Sequence, residues 1–453
     1  MRLTLIAFLL FTLTAFGENV IIKGGIKGFE GKEISANIYE DYITFNLKKL
    51  NTTTIKNGEF QLTFNLNEVE QIVLKIENKS TSLFAEPAET YNIGLDYDAI
   101  ANQGKAFDKF LNIHFLFPKP NETNSLIKSF NTAYQNFFAD NYQKFAIKQA
   151  YKETNAFIKK IENKPQYQSK PFVRDYVKYA IANLKDINNV SDNELFNNYL
   201  NNKPILYRNK EYMNFFVQFY KSDFDKLTIG KNGQAILKTI TFDKSLAKSI
   251  EAIKSIKKIE QDELAELYLL YGLFDVFHIK RVNQDASLNL IAQIEKNGQS
   301  VQNKILAKNL KNKLKLFGFK QIAPDFNLQS NEGKSYTMAD FKGKVVYLNF
   351  WANWSIPSLR EMQVIKMLYE KYADKIYFVS INLDENKSSM LKAQNQFNFP
   401  WTILYGGEDF ELRERFEVKA VPSYFLIDEN GKMLQAFSPG PADMDKRFHE
   451  MFK

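Results

Sequence analysis

The stretch Lys344-Val-Val-Tyr-Leu-Asn-Phe-Trp-Ala-Asn-Trp-Ser-Ile-Pro-Ser358 decides the fold of the last third of the chain. Its first half, Lys344 to Phe350, is a nearly unbroken apolar run without polar alternation, as expected of a strand covered on both faces. Met362, Ile365, Leu368, Tyr369 and Tyr372 then recur at helical spacing, and a second apolar run covers Ile376–Leu383. Strand, helix and strand in this order predict a βαβ unit with its two strands parallel. Tyr424-Phe-Leu-Ile427 predicts a third strand that turns through Asp428-Glu-Asn-Gly431 into Lys432–Phe437 as an antiparallel hairpin, and a helix over about 442–452 ends the sequence.

Upstream, the lysine-rich stretch Lys311–Lys320 separates this α/β pattern from a region of different period. From about Gly104 to Leu316, residues such as Phe172, Tyr176, Tyr179 and Ala180, or Leu264, Leu267, Tyr268 and Tyr271, follow the spacing of amphipathic and buried helices. Their aromatics read as core. Residues 19 to about 97 alternate in the manner of short strands, near Val20–Lys23, Glu33–Tyr39, Gln71–Glu77 and Tyr91–Tyr97. Thr52–Lys56, Asn57-Gly58 and Glu59–Phe64 predict a hairpin whose two turn residues take positive φ. The fold class is therefore multidomain α+β. A small N-terminal β-sandwich over 18–100 is expected, then a helical domain over 101–318 and a C-terminal α/β domain over 319–453.

The first residues, Met1-Arg-Leu-Thr-Leu-Ile-Ala-Phe-Leu-Leu, carry one base and then an apolar run too short to cross a bilayer, closing on Ala15-Phe16-Gly17. This predicts a signal peptide over 1–17, cleaved before Glu18. No cysteine succeeds it, so a lipid anchor is not expected. The most apolar later segment, Leu267–Phe277, is interrupted by Asp275 and preceded by Glu266, and reads as a buried helix; no transmembrane segment is expected in the mature chain.

With 453 residues, 45% hydrophobic and 25% charged, the chain has the balance of a folded protein of two or three domains. It has no cysteine, which excludes disulfides, thiolate metal sites and thiol catalysis. The net charge of +8 comes from lysines mixed with acids, as in Lys254–Glu263, and no nucleic-acid-reading motif accompanies it. The three histidines, His114, His278 and His449, are scattered, so neither serine–histidine catalysis nor a histidine-rich metal site is expected. His114 and His278 read as core residues of aromatic helical sequence and His449 as exposed. No phosphate-cradling loop or dinucleotide fingerprint is present, and no cofactor or metal is predicted.

Ala323-Pro-Asp-Phe326, Phe341-Lys-Gly-Lys344, Phe350-Trp-Ala-Asn-Trp354, Glu361-Met362, Val421-Pro422 and Phe425-Leu-Ile-Asp428, in this order and spacing, resemble the TlpA/ResA branch of the thioredoxin superfamily, close to the alkyl hydroperoxide reductase and thiol-specific antioxidant group. The likeness covers about 321–453 and implies a thioredoxin fold. It implies a Cys-x-Pro-Cys after Trp354, where this sequence has Ser355-Ile356-Pro357-Ser358. Such chemistry needs one thiol activated at a helix N-terminus and a second to resolve the mixed disulfide, and serine supplies neither. Ser355 is instead expected to cap the helix, worth about 1 kcal/mol. Ile356, Leu359 and Gln363 also depart from the residues usual in the family. Glu361 matches a family carboxylate thought to assist proton transfer; without thiols it is expected to be a first-turn acid favoured by the helix dipole. Asn349 stands where some thioredoxins bury an aspartate.

Val421-Pro422 matches the family's cis-proline element, beside which relatives pair with an extended peptide, a form of β-augmentation. Trp354, Ile356, Pro357, Val421 and Pro422, with Glu361 beside them, would form an apolar peptide groove, or else a fold element with no ligand. The resemblance and the leader together imply an exported protein of the periplasm or cell envelope of a Gram-negative bacterium, bound to an envelope protein or peptide and not to nucleic acid. A redox-inactive binding module is the reading taken. A thiol-disulfide oxidoreductase by descent and a structural or assembly protein are the alternatives.

Overall fold

The computed structural model describes residues 17–98, 109–116, 119, 121–146, 150–277, 282–316, 321–384, 386–407, 409–418, 420–436 and 438–452. The expected leader over 1–17, apart from Gly17, and His278 lie outside the described residues.

Alternation of apolar and polar residues organises the N-terminal part. In Glu59–Leu66 the side chains of Phe60, Leu62, Phe64 and Leu66 are buried and those between them face outward or sit at the rim. The strands are β1 (Glu18–Ile26), β2 (Glu33–Tyr39), β3 (Leu47–Thr54), β4 (Glu59–Leu66), β5 (Glu70–Ile76), β6 (Lys79–Ala85), β7 (Thr90–Asp96), β8 (Lys109–Phe110) and β9 (Asn112–Phe115). They form two sheets, ordered β4-β1-β7-β9 and β3-β2-β5-β6-β8. Val20, Ile22 and Leu62 from the first sheet and Ile34, Leu74 and Leu83 from the second share one core.

The expected hairpin is only partly a hairpin. Asn57 and Gly58 do take positive φ, 53° and 74°, and Lys56 and Glu59 exchange two backbone hydrogen bonds of 3.0 Å. Yet β3 pairs with β2 and β4 with β1, so the turn is a corner joining the two sheets. Ile55, fully buried, makes the corner: it leaves the strand and enters the shared core. The helical period is expected from about Gly104, but β8 runs parallel to β6 and β9 antiparallel to β7, so residues 109–115 still belong to the sheets. The reason is visible at Leu111, which is buried in the β core between the two short strands.

Helices run from Thr123–Ala146 to Val301–Leu316. At their centre lies Asp262–Val276, in which Leu264, Leu267, Tyr268, Leu270 and Leu273 are all buried, so the apolar run read as a buried helix is one. Its polar atoms are satisfied: the Tyr268 hydroxyl donates to Asp223 Oδ2 at 2.7 Å, and Glu266 Oε2 accepts from the Gln299 amide at 2.9 Å. Among the described residues no helix is long and apolar enough to cross a membrane. Tyr42 and Ile43, from the loop between β2 and β3, are part of this helical core.

The C-terminal strands are β10 (Asn327–Ser330), β11 (Ser335–Thr337), β12 (Val345–Trp351), β13 (Ile376–Asn382), β14 (Thr402–Tyr405), β15 (Ser423–Ile427) and β16 (Met433–Gln435), in one sheet ordered β11-β10-β14-β13-β12-β15-β16. Every residue of β12 is buried; the strand runs parallel to β13 and antiparallel to β15. Its even and odd residues serve two cores: Val346, Leu348 and Phe350 on one face, Tyr347 and Trp351 on the other. Met362, Ile365 and Leu368 of the helix Ile356–Tyr372 close the second face. The thioredoxin-like layering puts the N-terminus of that helix just past the end of β12, where the candidate site lies.

Candidate functional site at the helix N-terminus and the cis-proline edge

The helix Ile356–Tyr372 begins where β12 ends because Ser355 stops the extended chain and caps the first helical turn. Its backbone is extended, and its Oγ accepts the Ser358 amide at 3.3 Å. Pro357 sits in the first turn, where its missing N–H costs nothing. The same Ser355 hydroxyl donates to the carbonyl oxygen of Val421 at 3.3 Å, and the Val421–Pro422 bond is cis. Thus one side chain ties the helix start to the loop opposite.

Ser358 is 1% exposed, and among the described residues its hydroxyl has no hydrogen-bond partner. Outside these two serines the surface is apolar and open: Trp354 is 44% and Ile356 63% exposed, with Pro357 exposed beside them. Val421 and Pro422 are half-buried, Val421 packing on the sheet core. The expected site residues therefore fall on two facing elements, joined through Ser355 and Val421.

Glu361 differs from its expected place. It is the sixth residue of the helix, beyond the first turn, and its Oε2 accepts the hydroxyl of Tyr424, two residues after Pro422. Burial, with Glu361 second, pushes the Tyr424 hydroxyl far above the ordinary tyrosine range, so it remains a donor. The Tyr424 ring stacks on Tyr347 at 5.4 Å and 9°. Glu361, Pro422, Ser423, Tyr424, Ser438 and Gly440 line a shallow depression of about 390 Å³.

Beneath the site, Asn349 Oδ1 accepts from the Ser380 hydroxyl at 2.5 Å, and Ser380 Oγ accepts from Trp401 Nε1 at 2.7 Å. This buried chain is satisfied without an ionised group. Asp384, 3% exposed, receives the Asn353 amide at 3.1 and 3.2 Å and Asn382 Nδ2 at 2.8 Å, and so fixes the loop that presents Trp354. Burial raises its carboxyl above the ordinary aspartate value. Sequence reasoning misses Tyr424 and Asp384. Tyr424 reads only as an apolar strand residue; the acid directly after the apolar run ending at Leu383 is the available signal for Asp384.

The sequence has no cysteine, and the hydrogen-bond partners of Ser355 are the Ser358 amide and the Val421 carbonyl. The arrangement offers an apolar surface and backbone edges. The histidines do not alter this: His114, expected in a core, is on β9 with its side chain 63% exposed, facing Asp96, and His449 is exposed. His114 is outward because the edge strand directs it away from the sheet core. Among the described residues no three His, Asp or Glu side chains converge as a metal site.

Residues 320–447 match the family model described as Redoxin. Among curated proteins, the thiol-disulfide oxidoreductase ResA of Bacillus thuringiensis subsp. konkukian is 37% identical over 116 residues, 25% of this chain and 65% of that protein. The thioredoxin-like protein YneN of Bacillus subtilis is 32% identical over 114 residues, 24% of this chain and 66% of that protein. The chain thus spans a little under two thirds of these relatives. A solved structure, a thiol-disulfide oxidoreductase from Bacteroides fragilis, is 23% identical with a TM-score of 0.27, covering 29% of this chain and 99% of that one. After its β and helical regions, then, this chain carries over residues 320–447 a part that matches the Redoxin model and is similar to thiol-disulfide oxidoreductases.

Proposed function

We propose that the protein is exported to the bacterial cell envelope, the periplasm of a Gram-negative organism, and that its thioredoxin-like domain performs no thiol chemistry and instead holds an extended peptide segment of an envelope protein. Its three units in this reading are the β region of 18–100 together with residues 109–115, the helical region up to 318, and 319–453. The observation that carries it is Ser355: in a chain without cysteine, the residue at the helix start caps the helix and bonds Val421. A hydroxyl neither forms nor exchanges a disulfide. There remains a rim of exposed Trp354, Ile356 and Pro357 facing the Val421–Pro422 edge, suited to apolar side chains flanking a peptide backbone.

Two assays test this. Insulin reduction and peroxide reduction by the purified chain are expected at the buffer rate, and turnover above it would refute the loss of chemistry. Capture of envelope proteins is expected from the intact chain and not from Ile356→Asp. The names of the relatives favour a second reading, in which the chain serves a thiol–disulfide pathway by descent. A structural or assembly role of residues 18–318 is a third; capture retained without 321–453 would favour it.

A further inference from the structure

Two ion pairs, from two other parts of the chain, converge on the short helix Phe410–Arg415 and the turn that follows it, just ahead of the cis-proline edge. Lys75 Nζ on β5 lies 2.9 Å from Glu414 Oε1. Lys313 Nζ, in the last turn of the helix Val301–Leu316, lies 2.9 Å from Glu417 Oε1 and donates to the Thr44 carbonyl at 3.3 Å. Thr44 belongs to the loop between β2 and β3, and that loop is itself fixed. Asp41 accepts from Asn309 Nδ2 at 2.9 Å and from the Ile43 amide at 2.9 Å, while Tyr42 and Ile43 are buried in the helical core. Lys313 is therefore the point at which all three regions of the protein meet.

The two pairs are unequal. The Lys313 and Glu417 side chains are 14% and 19% exposed, those of Lys75 and Glu414 29% and 67%. Solvent screens the second pair far more than the first, so the first carries the coupling. Glu417 also has φ of 50°, a left-handed conformation that a residue with a side chain adopts only when its surroundings hold it. Next to it the Val418 amide donates to the Arg413 carbonyl at 2.9 Å, and the Val418 side chain is anchored in the sheet core. Four positions after Glu417 comes Val421, whose carbonyl receives Ser355.

We propose that Lys313 and Glu417 form an intramolecular clamp through which the β and helical regions set the position of the Val421–Pro422 edge. An occupant that displaces this edge is then opposed by the docking of the three regions, and loosening that docking frees the edge. The consequence for binding rests on the groove reading above; the mechanical link does not. Lys313 and Glu417 are positioning residues outside the groove.

Hydrogen exchange on the full chain, with no peptide added, tests the clamp. In Lys313→Met and in Glu417→Gln, the peptide carrying Val418 to Tyr424 should exchange about fivefold faster, as loss of a half-buried pair implies for local opening, while Val345–Trp351 is unchanged. The swapped pair, Lys313→Glu with Glu417→Lys, should recover most of the protection. Unchanged exchange at 418–424 in the single variants overturns the clamp, and so does acceleration spread equally over Val345–Trp351. Should Lys313→Met not fold, Glu417→Gln alone decides. A protein that captures no peptide but shows the local acceleration defeats the groove reading and not the clamp; normal capture with unchanged exchange defeats only the clamp.

Discussion

Ser355 Oγ accepts the amide of Ser358 and donates to the carbonyl of Val421, both at 3.3 Å, so a single hydroxyl joins the start of a long helix to the loop that faces it. A thiol is a weaker donor and a larger atom, and it would make the second bond poorly. Serine at this position therefore has a structural use of its own.

Ser355→Ala removes the cap and the bridge together. A cost of about 1–2 kcal/mol is expected, from a lost N-cap and a carbonyl left without its partner. Ser358→Ala should behave in the opposite way. Its hydroxyl is buried and, among the described residues, unpaired, so its removal should be neutral or stabilise by up to about 1 kcal/mol. Urea unfolding of the two variants checks both signs; equal losses would show that the two hydroxyls are equivalent.

A cysteine pair placed at positions 355 and 358 should support thiol–disulfide chemistry. With Ser355→Cys and Ser358→Cys together, the first sulfur would stand at the end of a seventeen-residue helix, facing the amide of residue 358. Helix amides and dipole favour the thiolate there. The double variant is expected to lose two hydrogens on mild oxidation, to regain them with dithiothreitol, and to reduce insulin, whereas neither single variant does. Two thiols that stay free under oxidant would mean that the surroundings do not support a disulfide between positions 355 and 358.

A buried pair elsewhere predicts a pH dependence. Burial pushes the Glu70 carboxyl up to about 7, against the opposing pull of Arg208, whose guanidinium lies 3.2 Å away. Because the folded value exceeds the ordinary 4.5, the folded chain keeps a proton that the unfolded chain releases between about 4.5 and 7. Stability from this group is therefore fully present below 4.5 and is lost as pH rises to about 7, by at most about 3 kcal/mol. Glu70→Gln, which removes the titrating carboxyl beside Arg208, should flatten that slope. A slope in the variant equal to that of the parent would remove Glu70 as its origin.

The order of elements in the last third was legible because β12 and β13 are buried on both faces, and such strands write uninterrupted apolar runs into the sequence. The position of Ser355 as a cap came from its place between Trp354 and Pro357. Long-range placement was not legible. Nothing local distinguishes a hairpin from the corner at Asn57-Gly58, since both demand positive φ at the turn and differ only in where Ile55 is buried. Likewise Glu361 reads as an acid near a helix start, and only the fold brings Tyr424 to it from β15. Lys313 and Glu417 are 104 positions apart and look like any other surface charges until the three regions are assembled.

The groove itself can be separated from the stability of the domain. Ile356 is 63% exposed in the first helical turn, so Ile356→Asp removes little buried surface and adds an acid where the helix dipole favours one. Its unfolding free energy should stay within about 0.5 kcal/mol of the parent. Trp354→Ala, at the other end of the rim, should also fold, because the Asn353 amide next to it is held by Asp384. Both variants should lose capture of envelope protein while matching the parent in exchange at Val345–Trp351. An interface of this kind places most of its energy in a few aromatic and aliphatic anchors, so a charge at position 356 should act as strongly as the loss of the indole. Capture that survives both substitutions would move the binding surface away from the helix start and onto residues 18–318.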